Sequence, residues 1–125
     1  MLTFEEAQEA LTELTDSLPP EIYKDLNCGV VLTPETLYDE NGLVILGQYH
    51  FDPRGLGRYV TINYGSLMVM YGYLPRKNFI EKIKYVLHHE LTHHLESLAG
   101  DRSLEIQDEI DKARYLGQGR FRDNS

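Results

Sequence analysis

Tryptophan is absent, cysteine occurs once and methionine three times in the 125 residues. A lone thiol, Cys28, rules out an intrachain disulfide, so the fold must stand on its core, and an apolar packing role is expected for that side chain. Basic residues are also few: 12 Lys plus Arg against 20 Asp plus Glu leave a formal net charge of -8. A domain this acidic is ill suited to a phosphate backbone, and no nucleic-acid partner is expected. No run approaches the ~20 apolar residues that cross a bilayer, so no membrane partner is expected either. The opening MLTFEEAQEA has no basic segment followed by an apolar one, which makes a cytoplasmic location the expectation.

What is present suits a globular chain, with 42% hydrophobic and 26% charged residues and room for one core. No repeat, low-complexity tract or linker divides it. A single domain over 1–125 is expected, with 117–125 as a polar, glycine-bearing tail. Thr3 and Glu6 fit a capping box, and Phe4, Ala7, Leu11, Leu14 and Leu18 recur at helical spacing until Pro19-Pro20 stops them. Glu21 to Leu26 suggests a short helical turn. Residues 29–33, 43–51 and 58–64 read as strands, separated by Asn41-Gly42 and Asp52-Pro53-Arg54-Gly55 and closed by Gly65-Ser66. Leu67 to Tyr71 reads as a short helix. The strongest periodic segment runs from Asn78, a candidate cap, to Gly100, with Ile80, Ile83, Leu87, Leu91 and Leu98 on one face. A further helix is expected from Ser103 to Leu116.

Inside that long helix lies His89-Glu90-Leu91-Thr92-His93, the HExxH pattern in the context it requires. At about 100° per residue, the two imidazoles stand one turn apart and only about 40° apart around the axis. They can converge on one metal, for which Zn²⁺ is the natural choice. Glu90 lies about 100° from His89, beside such an ion, where it can take a proton from a zinc-activated water. The apolar stripe lies opposite His89 and His93, so both are expected to face outward toward a cleft. The competing reading is a solvated, histidine-bearing helix face.

The stretch Val86-Leu87-His88-His89-Glu90-Leu91-Thr92-His93-His94-Leu95 resembles the active-site helix of the minimal zincin-like metallopeptidases, small bacterial HExxHH proteins. Leu46-Gly47-Gln48-Tyr49 and Tyr59-Val60-Thr61-Ile62-Asn63-Tyr64-Gly65 extend the likeness, which covers about Pro19 to Leu104. The resemblance implies an α+β, zincin-like fold, with a small twisted sheet of three to four strands on a backing helix and an active-site helix. It implies a monomeric zinc metallopeptidase acting on peptide or unfolded protein, with Glu90 as general base and His89 and His93 as ligands. It also implies a sheet edge above the metal, for which the Tyr59 to Tyr64 strand is the candidate. The family's HExxHxxGxxD pattern breaks here, with Glu96 and Ala99 at the Gly and Asp positions. Asp101, just beyond Gly100, is the candidate third ligand, with Glu105 and Asp108 as rivals. Glu96 is expected to be an outer or solvated residue. The alternative function is a zincin-fold module that binds a peptide or protein without cleaving it.

Among other residues, His94 falls on the apolar side, where a packed histidine bonded to backbone is expected. His88 is expected at the solvent or against an adjoining loop. Tyr64, Tyr71 and Tyr115 are candidates for stabilising an oxyanion, with ordinary packing as the competing role. Met68 and Met70 are expected as core filler, and no methionine follows the HExxH to make a Met-turn.

Overall fold

The computed structural model describes residues 2–100, and the fold is α+β. Helix α1 (Phe4–Asp16) begins at the expected capping box: Glu6 N–H donates to Thr3 Oγ1 at 3.1 Å and Thr3 N–H to Glu6 Oε1 at 3.0 Å. A 3₁₀ turn (Pro20–Tyr23) begins at the second proline of the pair. Strands β1 (Val30–Thr33), β2 (Gly47–Asp52) and β3 (Gly57–Asn63) form one mixed sheet in the order β1-β3-β2. β1 runs parallel to β3, and β2 returns as its antiparallel hairpin partner. Helix α2 (Tyr64–Tyr71) follows β3 directly, and α3 (Arg76–Ala99) crosses the sheet.

Alternation along the strands sets the core. Leu32, Tyr49, Val60 and Ile62 are buried with Ile83, Val86, Leu87 and Leu91 of α3, and α1 packs on α3 through Ala7 and Leu11. Arg76 Nη1 also meets Glu6 Oε2 at 2.8 Å across those two helices.

Several boundaries differ from expectation. The strand anticipated over 43–51 starts only at Gly47. Val44, Ile45 and Leu46 are buried all the same, as a connection rather than a ladder: Val44 bridges Tyr38, and the Ile45 carbonyl accepts from Asn63 Nδ2 at 2.9 Å. Gly65-Ser66 does not close a strand but opens α2. A side chain at Gly65 would run into Thr36 and the Glu35 backbone, so glycine lets α2 press on that connection. Asn78 does not cap α3, which begins after Pro75. Cys28 is exposed rather than buried, with its thiol donating to the Leu56 carbonyl at 3.4 Å. Most important, β3 is central, so the candidate edge strand is not an edge. The reason lies in the hairpin, which folds β2 to the outside of β3 while β1 takes the other flank.

The helix expected from Ser103, the tail from Gly117, and Asp101, Glu105, Asp108 and Tyr115 lie outside the described residues. Among the described residues, no helix is long and apolar enough to cross a membrane.

Candidate metal and peptide site

The site is built on the second half of α3. The buried face of this helix widens there, from Ile83, Val86 and Leu87 to include His89, Glu90, Leu91, His93 and His94. Val86, Glu90 and His94 stand at four-residue spacing and form one row. That row runs along β2: a Cβ built on Gly47 would sit 2.7 Å from Val86 Cγ1 and 3.3 Å from Glu90 Cγ. Only glycine lets the strand approach the helix this closely, and it brings the Glu90 side chain against β2.

His89 and His93 occupy the adjoining row. Their Nε2 atoms lie 3.2 Å apart, with ring centroids 4.7 Å apart and planes at 89°. Two nitrogens at about 2.0–2.1 Å from one tetrahedral zinc are separated by about 3.3–3.4 Å, so the pair fits two adjacent ligand positions of such an ion. The rings are not outward-facing as expected, with relative exposures of only 7% and 4%. The apolar stripe does not stop opposite them; the buried face of α3 extends round to their row. Glu90 is buried as well, at 1% exposure.

Among the described residues, no group of three or more His, Cys, Asp or Glu is arranged to hold a metal. The structure brings His89 and His93 together, with Glu90 buried on the adjoining row of α3. The third-ligand candidates lie beyond Gly100.

His94 is a packed histidine, as its position predicts. Its Nε2 donates to the Lys24 carbonyl at 2.7 Å, and its Nδ1 accepts from the Tyr49 hydroxyl at 2.9 Å. Burial pushes its pKa below the ordinary value, in keeping with a neutral ring. His88 is exposed, also as predicted. Tyr64 donates to the Leu2 carbonyl at 2.5 Å and stacks edge-on against Phe4, while the Tyr71 ring lies 4.9 Å from Lys82 Nζ. Met68 and Met70 pack against the core, as expected.

Three residues of the site's surroundings were not visible as functional in the sequence. Gly47 had a signal, an isolated glycine in an apolar strand, which marks close approach of another segment. Arg58, which donates to Tyr49 Oη at 3.0 Å, and the buried Asn63, which ties Thr33 to Ile45, had none.

Among the described residues, the outer edge of the sheet near α3 belongs to β2. Asn63 N–H donates to the Leu46 carbonyl, so by antiparallel alternation Gln48 and His50 also exchange bonds with β3. The N–H and C=O groups of Gly47, Tyr49 and Phe51 are therefore directed away from β3, along the outer edge.

No family model matches the chain, and no curated protein matches it. A solved structure of a conserved hypothetical protein from Thermo thermophilus is similar: it is 30% identical, with a TM-score of 0.71, and the match covers 94% of this chain and 97% of that one.

Proposed function

We propose that the chain, which belongs to the same family as that conserved hypothetical protein, is a zinc-dependent metallopeptidase with a zincin-like fold. The observation that carries the reading is the 3.2 Å convergence of the His89 and His93 Nε2 atoms, one turn apart on α3. These two imidazoles would hold the zinc, with Asp101 as the candidate third ligand. Bound there, zinc would supply the Lewis acidity that makes water nucleophilic near neutral pH and polarises a peptide carbonyl. Glu90 takes the proton of the attacking water and hands it to the leaving amine. The substrate is an extended peptide or unfolded protein. It adds to the outer edge of β2 through the backbone groups of Gly47, Tyr49 and Phe51, on the strand that meets Glu90.

The test pairs zinc content with cleavage. The zinc-loaded full chain should hydrolyse a reduced, alkylated protein, and Glu90→Gln should keep its zinc while losing at least about 100-fold in rate. Equal rates for the two proteins would remove Glu90 from the chemistry. The burial of both imidazoles favours a second reading, a scaffold that grips a peptide at β2 without cutting it. Zinc bound at His89 and His93 with no cleavage of any unfolded protein would select that reading.

A further inference from the structure

Polar groups tie α3 to both β2 and β3 at one place, and every bond there has a fixed direction. The Lys24 carbonyl can only accept, so His94 Nε2 carries the proton and the Nδ1 of the neutral ring accepts from the Tyr49 hydroxyl. Tyr49 Oη in turn accepts from Arg58 Nη1, which also donates to Ser97 Oγ one turn beyond His94 on α3. The series runs from Arg58 on β3, through Tyr49 on β2, to His94 on α3, and ends on the loop before β1. His94 is fully buried and Tyr49 is 8% exposed, so these bonds lie within the core.

Apolar packing between α3 and the sheet is non-directional and tolerates rotation of the helix, whereas hydrogen bonds do not. At a side-chain radius of about 5–6 Å, a 10° turn of the helix displaces a side-chain tip by about 1 Å. A catalytic constellation has to be held to within about 0.5 Å. We propose that Arg58, Tyr49 and His94 are positioning residues that set the rotation of α3 against β2. They thereby fix the spacing between the His89/His93 nitrogen pair and the strand edge that receives a peptide. The inference rests on the metal reading of that pair, but concerns side chains that touch neither metal nor substrate.

Cobalt(II) titration of the metal-free full chain, followed by its visible absorption, reads this directly, because band position and intensity report ligand geometry. Tyr49→Phe keeps the ring and removes the hydroxyl. It should weaken cobalt binding about tenfold and alter the spectrum. Ser97→Ala, a change a helix accepts readily, should shift both in the same direction by a smaller factor, and it decides the matter if Tyr49→Phe fails to fold. Wild-type affinity and spectrum in the folded variants would overturn the proposal, even with a lowered thermal midpoint, since these residues would then only pack. If the wild-type chain and His93→Ala take up cobalt alike, the metal reading itself fails, and the positioning role goes with it.

Discussion

At Asp25 the backbone φ is 61°, the left-handed region, next to the Lys24 carbonyl that His94 holds. A short polar side chain tolerates this conformation and a β-branched one does not. Asp25→Gly should leave the unfolding free energy within about 1 kcal/mol of wild type. Asp25→Val should lower it by about 1–3 kcal/mol, both measured by urea denaturation. Asn63 is the other residue whose role is set wholly by its surroundings. It is 1% exposed, its Nδ2 donates to the Ile45 carbonyl, and its Oδ1 accepts from Thr33 Oγ1. Asn63→Ala leaves the buried Ile45 carbonyl without its donor and should destabilise by about 1–3 kcal/mol. Neither role could be read from the sequence, because each depends on a contact between segments distant in the chain. His94 was different: its angular offset from His89 was enough to predict a packed, backbone-bonded ring, since that follows from helix geometry alone.

Among the elements, α1 and α3 were the most legible, because capping and periodicity act within one segment. The capping box of α1 formed as expected, and it has a measurable consequence. The hydrogen bond from the Thr3 backbone, then the Arg76 guanidinium, hold the Glu6 carboxyl at about 2, down from 4.5. A depressed carboxylate stabilises the folded state above the unfolded pKa and loses that contribution as the pH falls through the folded one. The α1 cap should therefore weaken between about pH 4.5 and 2, with Glu6 titrating near 2 by NMR. A Glu6 midpoint at its ordinary value would deny the cap. The strands were less legible. The apolar run Leu43 to Leu46 is buried from Val44 onward, as predicted for a strand, yet it serves as a connection, and an apolar run alone does not distinguish the two. The buried face of α3 was also less legible. Counting only aliphatic residues left Glu90, His89 and His93 off the buried surface, whereas Gly47 draws β2 onto the Val86–Glu90 row. Gly47→Ala should cost about 1–3 kcal/mol by overpacking. The double variant Gly47→Ala with Val86→Ala should recover part of that in thermal melts.

For the molecule as a whole, the order β1-β3-β2 decides what lies beside the site, and the order of strands in the chain does not reveal it. The strand nearest α3 in sequence became the centre of the sheet, and among the described residues β2 became the edge, with Gly47 against Glu90. The HExxH helix could be read from sequence, and the strand that packs against it could not. If the histidine pair is a metal site, binding must also stabilise the fold: zinc at 100 times its Kd should add about 2.7 kcal/mol to unfolding, reversed by chelator and absent in His93→Ala. The most direct measurement is calorimetric titration of zinc into the chelator-stripped full chain, beside His89→Ala and His93→Ala. One ion per chain in the wild type and none in either variant is the predicted result. No binding, or binding that both variants retain, would contradict the account.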